Sequence, residues 1–576
     1  MVLMVPMMFG VFFSTFANAF DKTNYIKEPS AQTEFQIDKG GSNPLDDGKK
    51  TDFSQIDNSD RVEINEYVFK TYDDYFIDYG IPTKIADISK TTITGDGSEN
   101  SPYQINSTED FIFFSKVGFR NKHLELNCDI ILNEEIFDEN GVPSGGDGVY
   151  YDWAPIRLAS GASLDGKGHT IHGLHMTNAV GHGRGTYIGM IGIHEKVTEI
   201  KNVNIKNVYI KGEDHVAAIA IFVEKIENCH LLSGTMKSSN YISGLVCTVN
   251  NEIINCSNYA TICGNFGVSG VANTINAIAD RCVNYGQIIG EGSNYIAGVF
   301  QDARGIIRNC INYGQVNSEG SFGVGGLIAN SNYALIIENS VNYGSVTSLA
   351  GNPSGFVGVV RTDEPISFVN CKQYGICIND KGGVGYHLTK RYMQDLFNVN
   401  VINCDFYNTS NNMSIIEVKD SKIRISNCKI FYENVNSQLG LFLGDEMDIE
   451  VNGLEIVANF VEGGSLYIFG NFNNKPSTYA EIKNVHFKFS GQQTQNSYIG
   501  KVANSYWYPQ EWLINGLIVT NLTSGSNHYY GSNFDNFYYN YKTGQIGLAS
   551  LNWMGTTQTR LTEDMLNNRG YTKIEY

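Results

Sequence analysis

Apolar residues in this chain come in short pieces that keep neither a helical period nor a long alternation. In Val283–Cys310 they fall at Gln287–Ile289, Tyr295–Phe300 and Gly305–Arg308, with Gly, Asn, Ser and Asp between them. No segment holds a helical period over about ten residues, and Ile, Val and Tyr favour strands. The pattern predicts three short strands per unit.

The unit recurs. Aligned on one Asn, it starts at Asn202, Asn228, Asn255, Arg281 (the exception), Asn309, Asn339, Asn370, Asn403, Asn427, Asn452, Asn484 and Asn515, at intervals of 24 to 33 residues. Two residues earlier stands an apolar side chain such as Ile200, Ile226, Ile307, Ile337, Phe368, Val401 or Ile425. One residue later stands Cys at 229, 256, 282, 310, 371, 404 and 428, with Ser at 340. A period of this length marks a solenoid, and the strand-like pieces make it all-β: a parallel β-helix of three short strands per coil. Loops of different length between strands account for the unequal intervals.

In such a coil, equivalent residues lie about 4.8 Å apart, the spacing of hydrogen-bonded strands. Stacked Asn side chains can then bond amide to amide along the column. The Cys residues form a second column. Their parallel Cβ vectors stay about 4.8 Å apart, against the ~3.8 Å a disulfide prefers, so unpaired packing thiols are favoured over disulfides or a metal. Small residues recur in step, in "YIGMIG" at Tyr187, "YISGLV" at Tyr241, "YIAGVF" at Tyr295, "FGVGGLI" at Phe322 and "GFVGVV" at Gly355. They let the backbone turn and approach the next coil.

The ends differ from the repeat. Residues 1–19 read as a signal peptide, an apolar run closed by Ala17-Asn18-Ala19, which predicts a secreted or cell-surface protein. Residues 20–94 form a polar, acidic segment with a linker at Asp38–Lys50. An N-terminal cap spans 95–125, where Ser107 and Asp110 resemble a capping box and predict a helix over Thr108–Val117. The β-helix is expected over 126–555, and a C-terminal cap over 556–576 with a second helix at Arg560–Tyr571. Both helices would cover open strand edges. No later stretch is long and apolar enough to span a bilayer, so no transmembrane segment is expected after signal removal. The formal net charge of −19 argues against nucleic-acid partners.

Several motifs together resemble a known family. "GDGSENSPYQINSTEDFIFFSKV" from Gly95, "HLELNCDIIL" from His123 and "LDGKGHTIHGLHM" from Leu164 precede the Asn-Cys-x-Asn-Tyr-Gly repeats. This order resembles secreted surface proteins with GLUG-type repeats, in the pectin-lyase-like superfamily of right-handed parallel β-helices. The resemblance implies an adhesin or stalk module. Some relatives are immunoglobulin A1-cleaving metallopeptidases, but this chain holds no His-Glu-x-x-His.

Two classes of function stay open. The first is binding or adhesion to glycans or host extracellular matrix. Its candidate residues are the column Tyr259, Tyr285, Tyr313, Tyr343 and Tyr374, whose rings could stack on sugars or simply pad the coil. Trp507 and Trp512 in "SYWYPQEW" add a second aromatic cluster. The alternative is a carbohydrate-active enzyme, a polysaccharide lyase or glycoside hydrolase, built from charged loops of adjacent coils. It would draw on Asp302, Arg304, Arg361, Asp363, Glu364, His387, Lys390 and Arg391, with a small helix over His387–Phe397. A third reading is a phage tailspike-like glycan binder, against which the signal-like N-terminus counts. No cofactor or metal site is expected, since His169 and His172 should face opposite ways on one strand. Asp147 and Asp152 could contribute to a Ca²⁺ site but supply too few oxygens alone.

Overall fold

The computed structural model describes residues 92–460, apart from short interior stretches, and beyond them the backbone of strands only. Its strands stack in parallel, coil upon coil, as a β-solenoid. One residue per coil traces the stack. Leu164 pairs with Ile200, Ile200 with Ile226, Ile226 with Ile253, and Ile253 with Ala279. The column continues through Ile307, Ile337, Phe368, Val401, Ile425 and Val451. These side chains point inward and are buried in one continuous apolar core.

The three expected strands resolve into shorter walls because bends interrupt them. In one coil, Gly305–Arg308 forms the first wall and Ile311–Asn312 the second. Val316–Ser318, Phe322–Gly325 and Ile328–Ser331 form the third, fourth and fifth. Between the first and second walls stands the repeated Asn, with left-handed backbone: φ is 56° at Asn202, 55° at Asn309 and 53° at Asn427. Asn tolerates this region better than other residues with a side chain, which explains its recurrence. Arg281 adopts it too, at φ 54°. The alignments on Asn452 and Asn515 are off by one, since both share the register position of Lys483 and not of Asn484. Asn452 pairs with Ser426, and Gly453, at φ 83°, holds the left-handed position.

Parallel pairing begins within the segment expected as a cap, between Tyr103–Ile105 and His123–Leu126. The expected helix forms over Thr108–Phe114. The Asp110 amide donates to Ser107 Oγ at 3.1 Å, while the Asp110 carboxylate accepts from the amides of Asn106 and Thr92. Phe111 stacks on Trp153 at 4.9 Å, so the helix seats its apolar face on the coil. Toward the other end, Asn536–Asn540 pairs antiparallel with Gln545–Ala549 and Thr572–Lys573. The second expected helix, the segment 1–19, the linker, Asp147 and Trp507 all lie outside the described residues. Among the described residues no helix is long and apolar enough to cross a membrane.

Candidate functional site

Stacking brings like side chains into ladders, and each ladder is a candidate site. The Cys column runs inside the coil, and every Cys of it is unbonded and buried. The Cys371 amide donates to Cys404 Sγ at 3.4 Å, the Cys404 amide to Cys428 Sγ at 3.4 Å, and the Cys310 amide to Ser340 Oγ at 3.1 Å. Burial pushes thiols such as Cys282 and Cys404 well above their ordinary pKa. They are packing groups and poor nucleophiles.

Two Asn ladders form. On the outside, Asn228 donates to Asn202, Asn255 to Asn228, Asn370 to Asn339 and Asn403 to Asn370. Where Arg281 interrupts this ladder, Asn309 donates to Asp280 at 2.8 Å instead. The second ladder is buried and was not read from the sequence. It uses the Asn of Asn-Tyr-Gly: Asn258 donates to Asn284, Asn284 to Asn312 and Asn312 to Asn342, at 2.8–2.9 Å. Each Nδ2 also bonds a carbonyl two residues on, as from Asn312 to Gly314.

The tyrosine column forms as expected and runs further. Centroids lie 4.4 Å apart for Tyr259–Tyr285, 5.0 Å for Tyr285–Tyr313, and 4.9 Å for both Tyr313–Tyr343 and Tyr343–Tyr374. Tyr407 and Phe431 extend it. Planes agree within 14°, so each ring between Tyr259 and Phe431 has both faces on its neighbours and offers only its edge to solvent. Burial, with Tyr259 and Tyr313 alongside, pushes the Tyr285 hydroxyl up to about 12.

A second aromatic ladder, also unread from the sequence, lines the fourth wall. Tyr241, Phe266, Tyr295 and Phe322 meet edge to face at 5.1, 5.3 and 5.5 Å. Glycine makes the room. A Cβ on Gly267 would sit 2.3 Å from the Tyr241 ring, and one on Gly323 2.9 Å from the Tyr295 ring. Tyr295 itself holds a left-handed backbone, φ 62°, at the position where the coils on either side place these glycines. That conformation costs a bulky residue about 1–2 kcal/mol.

Of the charged residues proposed for catalysis, Asp302 and His387 are buried while Arg361, Asp363 and Glu364 are exposed. Asp302 lies on the fifth wall, accepting from Asn332 Nδ2 at 3.0 Å. Burial raises its pKa to about 7. Arg361 is exposed and lies over Phe322 at 4.7 Å and Tyr295 at 5.4 Å, while Arg304 lies over Tyr333 at 4.9 Å. Asp363 and Glu364 are exposed, and Glu364 accepts the Ala334 amide at 2.6 Å. His387 points inward: it is 0% exposed, faces Phe406 and Tyr432, and neither ring nitrogen has a hydrogen-bond partner. Burial lowers its pKa to about 3. The helix expected over His387–Phe397 does not start there. His387, Lys390 and Arg391 belong to the strand Gly385–Arg391, paired on both sides. Trp512 belongs to the strand Glu511–Asn515.

The histidines near the N-terminal end each have their own polar partner. His169 meets Asp129 at 3.1 Å, His172 meets the Asn133 carbonyl at 3.0 Å, and His175 meets Asp152 at 2.8 Å. Among the described residues no group of His, Cys, Asp and Glu has the arrangement of a metal site.

No family model matches this sequence. Among curated proteins, halomucin of Haloquadratum walsbyi is 28% identical over 156 residues, 27% of this chain. The chain spans about 2% of the length of that relative. Among solved structures, a crystal structure of a candidate immunoglobulin A1 protease from Bacteroides ovatus is similar, with 15% identity and a TM-score of 0.27. That likeness covers 54% of this chain and 77% of the other.

Proposed function

We propose that the protein is an exported extracellular β-solenoid that binds an extended partner, a glycan or matrix polymer, through the outer surface of its coils. The observation that supports this most is that an edge-to-face aromatic ladder, Tyr241, Phe266, Tyr295 and Phe322, runs along the stacking direction. An extended surface suits an extended ligand. The partial likeness to halomucin supports the extracellular reading. The candidate catalytic groups favour binding over bond cleavage, because His387 lies in the core and Glu364 is tied to the backbone. The test is a panel of neutral and acidic polysaccharides, scored for retention of the full chain and for cleavage. Retention without new reducing ends or unsaturated products is expected. Failure of every polymer to bind would overturn the reading.

One observation favours the alternative, a carbohydrate-active enzyme. Asp302 carries a carboxyl near neutrality, suited to proton transfer, with Arg304 close by. Product formation that disappears in Asp302→Asn would establish that alternative.

A further inference from the structure

The face-to-face tyrosines stand between the second and third walls, and their column begins before the first ring. Leu231 pairs with Asn258, so Leu232, one residue on, continues the column next to Tyr259. Its members there are exposed although apolar or aromatic: Leu232 at 38%, Tyr259 at 47%, Tyr285 at 43% and Tyr313 at 44%. Two residues earlier in each coil, register stacks Ser257, Val283, Ile311 and Val341 on the second wall. Val283, Ile311 and Val341 are half-buried and border the rings. From Ser257 to Tyr343 neither column carries a charge, in a chain of formal net charge −19. Single exposed apolar residues are ordinary, but a contiguous stripe of them marks an interaction surface.

We propose that this stripe is an interface between two copies of the chain, laid antiparallel about a twofold axis through Ile311 and Tyr313. The repeat favours a second copy. Its rings advance by the same ~4.8 Å per coil, so every ring of one chain finds a ring of the other, and a twofold makes one patch complementary to itself. Each phenol hydroxyl both donates and accepts, so the facing edges can bond to one another.

Charge sets the direction. Past Val341 the second-wall column runs Lys372, Asp405 and Lys429, and before Ser257 it runs His230 and Asn204. Copies pointing the same way would bring Lys372 beside Lys372 and Asp405 beside Asp405, which repel. Antiparallel copies set Lys372 against Ser257, Asp405 against His230 and Lys429 against Asn204. Seven coils, Leu232 to Tyr407, give a stripe about 30 Å long, or about 500 Å² a side at a width of about 15 Å. Both sides together reach about 1,000 Å², the lower bound of specific interfaces, so the dimer is reversible. The edge-to-face ladder lies on the fourth wall, so this interface and the polymer reading stand or fall separately.

Sedimentation velocity on the full chain, from about 1 to 200 µM, tests this. It should show a monomer–dimer equilibrium with a dissociation constant on the order of 10 µM. Tyr313→Glu should raise that constant about 10-fold or more, because it sets two carboxylates against each other at the axis. Cysteine variants and a short thiol-to-thiol cross-linker read the geometry, with the parent chain, ten of whose eleven thiols are buried, as baseline. Tyr313→Cys should be captured as a dimer. Tyr374→Cys alone should not, since about 19 Å would separate the two copies of that position, but it should be captured when mixed with Tyr259→Cys. Where Tyr313→Glu fails to fold, the cysteine variants decide. Monomer at every concentration, a constant unmoved by Tyr313→Glu, or capture of Tyr374→Cys alone overturns the interface.

Discussion

At the scale of single residues, backbone conformation selects Asn where the pattern alone shows only a recurring letter. Asn309 pairs a left-handed φ of 55° with a bond to Asp280. Asn309→Ala should lose both, at about 2 kcal/mol, while Asn309→Gly keeps the conformation and loses only the bond. Urea denaturation of the two variants checks this, and equal losses would show that conformation is not what selects Asn. Titration separates two other residues. Asp302 has its folded pKa raised to about 7, so its contribution to stability is full below pH about 4 and is lost as pH rises through 7. The loss is on the order of 4 kcal/mol. His387 works the other way. With a folded pKa near 3, stability falls as pH drops from about 6.5, because the unfolded chain takes the proton first. The two nearly cancel between pH 4 and 6.5. Asp302→Asn should therefore expose a stability that rises with pH across that window, and His387→Leu one that falls. Variants that keep the parent profile would refute both assignments.

At the scale of the element, the buried Asn ladder is where the coils are fastened. Asn312 is fully buried, accepts from Asn284, donates to Asn342 and donates to the Gly314 carbonyl. Asn312→Ala should cost about 3 kcal/mol or more, because it also leaves one N–H of the Asn284 amide and the Asn342 oxygen without their partner. The exposed Tyr313→Ala, one residue on, should cost less. A larger loss at Tyr313 would make the ring stack the fastener instead. The contrast also explains what the sequence made legible. A period tells which residues superpose, so the Cys, Tyr and outer Asn columns could be read directly. It does not tell which way a side chain turns after a left-handed residue, so the buried ladder through Asn312 could not be read. Tyr295 and Phe322 stand at different repeat positions and meet only because Gly323 leaves a gap. His387 was misread for a related reason: its coil is lengthened, and a strand there hides the ring that a helix would have exposed.

At the scale of the whole molecule, stability is a sum over neighbouring coils, and no disulfide joins one coil to the next among the described residues. Eleven cysteines would ordinarily staple a chain that folds in an oxidising medium. Here the stack holds the seven of the column parallel: the Cys404 amide bonds Cys428 Sγ at 3.4 Å, and Cys404 Sγ itself lies 3.3 Å from the Ile402 carbonyl. Each thiol thus fits the spacing of strands, and closing a disulfide would pull two Cβ atoms about 1 Å nearer than strand spacing allows. Ten of the eleven are buried and only Cys128 is partly exposed. The protein purified from an oxidising medium should retain the mass of eleven free thiols, and its melting temperature should not change with reductant. A thiol reagent should label Cys128 alone in the native state, and slowly, since burial raises its pKa. The remaining thiols should react only as coils open in denaturant. A mass deficit of about 2 Da per bridge, or a melting point that drops in reductant, would mean that adjacent coils approach more closely than hydrogen-bonded strands can, and the parallel stack itself would have to be redrawn.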